Sequence, residues 1–469
     1  MKKMLVKNTA VLLSVITACA AMPCVGASAA ESDIFPYTMF AASSAEGAIT
    51  VNANWTTING SIASNGTIAV GGHANFNGAK TENAGKDMLF IGDKITDKYF
   101  STAKEVDTLD FAGVNVSVNT PFEVKGSAKI DGNANINASI KAEDDITISG
   151  NVNNTSNSVI YSEFGDVVID STNVNLSGMI YAPLGNVEIN AQSINLNNVV
   201  IIADTITLNS NCINANYGKS YAQFAGTQSE SRAAYITKYN SKLMDYTTEK
   251  SLDLISQYYN VTPIDTGDFG HINVMGMIDF NITQYNVEGL GNLCMMRAEG
   301  MTQMTTFVLT PYDKDLPLLA FDYMYNGDQR ISYFETYDLT ADKNTDEYQN
   351  VLSNLSVMFD RYKGLEDSPA AEDWYDDLRT VALFKKSDFR SDDVTNQLMM
   401  DAYKIMLDSS VDCHQLNEEE KAAKHVVIQQ YADDLVDKGG TATNLFKATI
   451  GSDATKQFFN QVFYGTSLN

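Results

Sequence analysis

Two consecutive stretches of this chain are near copies of each other. Ser158 to Gly178 reads SVIYSEFGDVVIDSTNVNLSG, and Gly178 to Asn198 reads GMIYAPLGNVEINAQSINLNN. Ile160 matches Ile180, Tyr161 matches Tyr181, Gly165 matches Gly185, Val167 matches Val187, Ile169 matches Ile189, Asn175 matches Asn195 and Leu176 matches Leu196, always with the same spacing. Each copy holds two short alternating strands separated by turn residues, which is one coil of a solenoid. Weaker echoes occur at Ile140 to Ile148 and at Val199 to Leu208. Stacked coils bury their Ile and Val rows and allow aligned Asn side chains to bond from coil to coil. The pattern predicts a parallel β-helix over residues 31–217; a β-sandwich carrying a chance repeat is the competing architecture.

This segment broadly resembles bactofilin-type and bacterial surface β-helices. Polysaccharide lyases and pectin hydrolases also use β-helices, but their sites need acids clustered with Arg or Lys on adjacent coils. No Arg precedes Arg232, and the dense acidic run Glu143-Asp144-Asp145 reads as a solvated turn. The segment is therefore expected to be a scaffold, a stalk or a surface for assembly, with self-assembly or a surface partner as its contact.

The N-terminus reads as a processing segment. Lys2, Lys3 and Lys7 form a basic start, Ala10 to Met22 is apolar, and Ala27-Ser28-Ala29 is a small-residue cleavage pattern, so residues 1–30 are expected to be a signal peptide and the protein secreted or at the cell surface. A rival reading takes Ile16-Thr17-Ala18-Cys19 as a lipobox, which would make the protein a lipoprotein acylated at Cys19. No later run is long and apolar enough for a transmembrane anchor. The formal charge of −26 argues against nucleic acid as a partner, since phosphate binding needs clustered Lys and Arg. Cys212, Cys294 and Cys413 form no CxxC pair, and the four His make no metal spacing, so no metal site is expected.

Composition changes near Tyr217. From Gly218 onward the chain is aromatic, Met-rich and acidic, with 21 Lys and Arg against 38 Asp and Glu. Tyr221 to Tyr258 reads as helical. His271 to Ile282, Leu293 to Met296, Gln303 to Leu309, Leu316 to Met324 and Gln329 to Leu339 read as strands. Helices are predicted at Glu347 to Tyr362, Ala371 to Leu383, Asp392 to Leu407, Glu418 to Asp437 and Ala454 to Val462. Asn417 with Glu420 forms a capping-box start. Strands followed by helices predict an α+β domain over 218–469, an antiparallel sheet covered by helices. One residue breaks the apolar run Leu316 to Met324. Alternation puts Leu318, Ala320, Asp322 and Met324 on one face and Leu319, Phe321 and Tyr323 on the other. A carboxylate there is either a structural hydrogen-bonder or a proton donor with a raised pKa.

The second half resembles the ferredoxin-dependent bilin reductases. The likeness rests on PYDKDLPLLAFD from Pro311 to Asp322, continuing into the strand from Ile331 to Leu339. It rests also on a C-terminal block: Gln429-Gln430-Tyr431, Asp437, Asn444 to Lys447, Ile450-Gly451 and Phe458 to Phe463. The resemblance implies a three-layer α/β/α sandwich with a linear tetrapyrrole, or a similar flat anionic ligand, between the sheet and the C-terminal helices. It implies no bound cofactor, with electrons arriving singly from a ferredoxin-like donor. It makes Asp322 the proton donor and Asp401, flanked by Leu398, Ala402 and Ile405, a supporting acid. Thr306 and Phe321 are the substrate-binding candidates. Thr306 stands where several members carry a His, and a hydroxyl cannot shuttle protons near neutrality. The acidic balance works against docking of an acidic ferredoxin. The sequence thus predicts an exported protein that pairs a β-helix with a domain binding, and in one reading reducing, a bilin. In the alternative reading it is a non-enzymatic adhesion or assembly protein.

Overall fold

The computed structural model describes residues 34–154, 156–227, 229–340, 343–368 and 373–466. The expected signal peptide, with Cys19, lies outside them. The described chain forms two compact units, one ending at Tyr235 and the other beginning at Ile236.

The first unit is a parallel β-solenoid, and its register is the sequence repeat. Ile160 stands beside Ile180 and Tyr161 beside Tyr181. Val167 stands beside Val187 and Ile169 beside Ile189, with Asn175 beside Asn195 and Leu176 beside Leu196. The inward Ile, Val, Leu and Ala rows form one continuous core. Each Ile, Val or Leu side chain in these rows contributes about 1.5–3 kcal/mol when fully buried. Asn ladders run outside it. Asn52 donates to Asn209 at 2.9 Å, Asn209 to Asn190 at 2.7 Å, and Asn190 to Asp170 at 2.7 Å. Gly185 is required by coil spacing, because a Cβ there would lie 1.9 Å from the Gly165 carbonyl oxygen.

Coil order departs from chain order. Tyr37–Ala41 pairs with both Ile201–Ala203 and Ser61–Ser64. Ile49–Asn59 lies between Ile206–Asn216 on one side and Ile68–Val70 with His73–Phe76 on the other. The first coil is thus wedged between the second coil and the last. After Thr81 the chain crosses to the far end through the helix Gly92–Tyr99, re-enters at Lys104–Val106 and winds back. Tyrosines fasten the crossing: the Tyr181 hydroxyl donates to the Leu89 carbonyl at 2.5 Å and accepts from the Ile91 amide at 3.2 Å. Tyr235 belongs to this unit, its hydroxyl donating to the Glu163 carbonyl at 2.7 Å, so the unit runs past the compositional break at Tyr217.

The second unit is a sandwich around an antiparallel sheet. Along the sheet come Val261–Ile264, Ile278–Val287, Gly291–Gly300, Gln303–Pro311, Leu318–Asn326, Gln329–Tyr337, Arg379–Asp388 and Glu366–Asp367, and His271–Val274 pairs beside Ile278–Val287. One face packs against the helices Arg232–Ser256, Asp346–Phe359 and Asp392–Asp412. The other packs against Glu418–Lys438, Thr441–Ile450, Ser452–Phe458 and a π-turn at Phe459–Phe463. The capping box forms as expected: Asn417 accepts from the Glu420 amide and Glu420 accepts from the Asn417 amide. No helix among the described residues is long and apolar enough to cross a membrane.

Three local expectations fail. His271 to Ile282 is two strands, because Met275 and Gly276 take φ of +53° and +72° and close a hairpin between them. The span predicted as a helix at 371–383 forms none among its described residues: Asp376–Leu378 is a single 3-10 turn, and Arg379–Asp388 is a strand pairing beside Gln329–Tyr337. Val381 and Leu383 pack into the core on one side while Phe384 meets Tyr333 on the other, a two-sided division that suits a strand. Residues 441–450, outside the predicted helices, form one.

Candidate functional site

Alternation along Leu318–Asn326 exposes a difference between the two faces. Leu319, Phe321, Tyr323 and Tyr325 are buried, whereas Ala320, Asp322, Met324 and Asn326 are each only half-buried. The next strand repeats this, with Ile331, Tyr333 and Glu335 half-buried and Ser332, Phe334 and Thr336 buried. The C-terminal helices cover Cys294, Met296, Val308, Leu318 and Tyr337. Beyond them, Met304, Ala320, Asp322, Met324, Ile331, Tyr333 and Phe384 make a partly open apolar surface with one carboxyl in it.

Register brings Thr306, Asp322 and Tyr333 into one row. The Thr306 hydroxyl donates to Asp322 Oδ1 at 2.5 Å. No cation pairs with Asp322 among the described residues. Burial pushes its carboxyl up to about 6; the Thr306 hydrogen bond opposes the rise and the Glu335 carboxylate adds to it.

Glu335 lies one row along, opposite Ala320. It pairs with Arg379 Nε at 2.6 Å and accepts from the Tyr337 hydroxyl at 2.7 Å. Arg379 also holds Asp376 at 2.8 Å. Tyr337, Tyr375, Trp374, Tyr431 and Tyr464 form an aromatic wall with centroids 5.4–6.5 Å apart. Burial drives the Tyr464 hydroxyl well above its ordinary value, and Tyr431, Tyr375 and the Asp322 carboxyl add to the rise. A near-neutral acid, a Glu–Arg ion pair and a tyrosine wall on a half-open sheet face can hold a flat unsaturated molecule and give it a proton.

The other candidates separate. Thr306 joins Asp322, but as a buried hydroxyl bonded to it. Phe321 points to the opposite face, where its ring packs with Phe307, Tyr323 and Phe334; strand alternation makes it core rather than a contact on the Asp322 face. Asp401 is also across the sheet. Its helix packs Leu398, Met399, Ala402 and Tyr403 into the Phe321 core, and its carboxylate accepts from Tyr362 at 2.9 Å and Gln397 at 2.7 Å. The structure therefore does not bring Asp401 to Asp322. Sequence reasoning missed Glu335 and Arg379. The turn at Gly327–Asp328 sets the register of the hairpin, and counting back from it would have put Glu335 on the Asp322 face. Arg379 was hidden by the false helix.

No protein-family model matches the sequence, and no curated protein matches it. Among solved structures, the chain is similar to tomato phytochromobilin synthase in complex with biliverdin, at 14% identity and a TM-score of 0.40, covering 48% of this chain and 83% of that one. It is also similar to an ice binding protein from an Antarctic biological consortium, at 15% identity and a TM-score of 0.27, covering 40% of this chain and 90% of that one.

Proposed function

We propose that the second unit of an exported protein binds a linear tetrapyrrole, or a similar flat anionic ligand, on the Asp322 face, and that Asp322 gives it a proton. The observation that carries this reading is a carboxyl raised to about 6, without a cationic partner, on a sheet face that the C-terminal helices leave half covered. Trp374 and Tyr375, the half-buried members of the aromatic wall, offer ring surface for stacking. Lys386, in register with Ile331 on that face, is a cation for an anionic substituent. Reduction of one bilin double bond takes two electrons and two protons. The electrons would come one at a time from an external ferredoxin-like iron–sulfur protein, one proton from Asp322 and the second from water. The partial exposure of Asp322 lets solvent reprotonate it.

The test is an absorbance titration of the purified chain with biliverdin. A saturable, red-shifted band, weakened in Asp322→Asn, supports ligand binding on this face. An unchanged spectrum, or an identical one from the variant, overturns it. A supplied low-potential donor then separates reductase from binder by loss of the long-wavelength band. A second reading, a non-enzymatic surface module assembled through its solenoid, is favoured by Thr306, since the residue bonded to Asp322 cannot relay a proton near neutrality.

A further inference from the structure

We propose a second, independent ligand site at the far edge of the same sheet, built to take a small organic cation carrying an ammonium or guanidinium group. A cavity of ≈ 730 Å³ lies between the Ile264–His271 connection and the C-terminal helices, within the size range of small-molecule sites. Its polar lining is one-sided. Asp265 and Asp268 stand on the connection, Gln284, Gln457 and Gln461 also line the cavity, and neither Lys nor Arg does. His271 lines it too, with Nε2 3.1 Å from Asp279. An anionic ligand finds no fixed positive charge here, so this is not a place for the bilin.

The decisive feature is Gln284. It is 98% buried by its 2% exposure, and its amide orientation is fixed by chemistry. The last carbonyls of a helix lack intrahelical donors, and at the π-turn two side-chain amides serve them. Asn292 Nδ2 donates to the Val462 and Phe463 carbonyls at 3.3 and 3.2 Å. That turns Asn292 Oδ1 to accept from Gln284 Nε2 at 2.8 Å, and Gln284 Nε2 also donates to the Gln461 carbonyl at 2.9 Å. A carbonyl can only accept, so the nitrogen must face the turn. Both amide protons of Gln284 are then used, while Oε1 accepts from no donor among the described residues. That oxygen also keeps some accessible surface, which the cavity it lines supplies. An acceptor that faces only this cavity takes its donor from whatever fills the cavity, water or a ligand N–H. Acceptor at the floor, two carboxylates at the mouth and no opposing cation select an N–H-bearing cation.

The full chain should be titrated calorimetrically with agmatine at physiological ionic strength, with citrate as the anionic control. Agmatine should bind one saturable site that citrate does not occupy. Asp268→Asn, an exposed change on the connection, should weaken agmatine about tenfold. Ala454→Phe, which fills the cavity from the helix side, should abolish binding while leaving the unfolding transition in place. Asp322→Asn should leave it intact, which separates this site from the bilin reading. Non-saturable heats, equal binding of citrate, or unchanged affinity in both Asp268→Asn and Ala454→Phe would overturn the proposal.

Discussion

Each face of the antiparallel sheet meets an acid in apolar surroundings whose carboxyl burial pushes up, and the two acids are partnered differently. On the closed face, Asp392 meets Arg330, whose side chain is fully buried. Arg330 Nε donates to Asp392 Oδ1 at 2.8 Å and Nη2 to Oδ2 at 3.0 Å. Arg330 Nη2 also reaches Asn240, its Nη1 reaches the Gly327 and Gln329 carbonyls, and Tyr323 donates to the same carboxylate. On the open face, Asp322 has one neutral hydroxyl and no cation. A carboxylate held by an arginine and a tyrosine is part of the fold; one left with a single hydroxyl donor on a half-buried face retains a proton it can spend in chemistry. The comparison teaches that the number of partners and the degree of cover, rather than the presence of an acid in a strand, mark the reactive face.

The largest effect should come from breaking the closed-face pair. Arg330→Met leaves Asp392 buried without its cation and should cost about 3–5 kcal/mol of stability. Denaturant unfolding followed by the fluorescence of the second unit measures it. A loss below about 1 kcal/mol would mean that water reaches Asp392, and the contrast between the faces would fail.

Asp322→Asn should do the opposite, and only over part of the pH range. Folding raises the pKa of Asp322 from 3.8 to about 6, so the folded state favours the protonated carboxyl. That contribution is fully present below 3.8 and is lost as pH rises through about 6. Above this window the ionised, partly desolvated carboxylate opposes folding, and Asn removes the opposition. The variant should gain about 1–2 kcal/mol at about pH 8 and nothing at about pH 3, discounted for partial exposure. Paired melts at the two pH values test the sign. A uniform loss at both would make Asp322 a structural bonder like Asp392.

How much of this was legible depended on whether contact partners are repeated in the sequence. In the solenoid the neighbour of Ile160 is Ile180, so a sequence offset is a spatial contact and the coil architecture could be read directly. The wedged first coil could not, because Asn52 meets Asn209 across most of the unit and no repeat announces it. In the sandwich, period-two alternation placed Asp322 and Phe321 on opposite faces, and the structure agrees. What alternation cannot give is which face the helices leave open. That depends on how far the terminal helices reach, and one of them, Thr441–Ile450, lies outside the helices the pattern predicts. Asp401 went astray for the same reason: its apolar stripe locates a helix against some core, and both sides of the sheet provide one.

The finest test of the comparison is Thr306→Val, which changes one atom and leaves the fold otherwise alone. Thr306 is buried and its hydroxyl donates to Asp322 Oδ1. That bond stabilises the ionised form and holds the carboxyl below where burial and Glu335 alone would set it. A methyl in place of the hydroxyl is nearly isosteric, removes the donor and leaves the acid more isolated. The pKa of Asp322, followed by carboxyl ¹³C shifts across a pH titration, should therefore move upward from about 6. The stability change at acidic pH, where the protonated acid needs no donor, should be below about 1 kcal/mol. If the open-face reading is right, any pigment protonation should persist to higher pH in this variant, following the shifted acid. A pKa that stays put would mean that solvent already shields Asp322 as well as the hydroxyl does, and that its elevation owes little to the face it occupies.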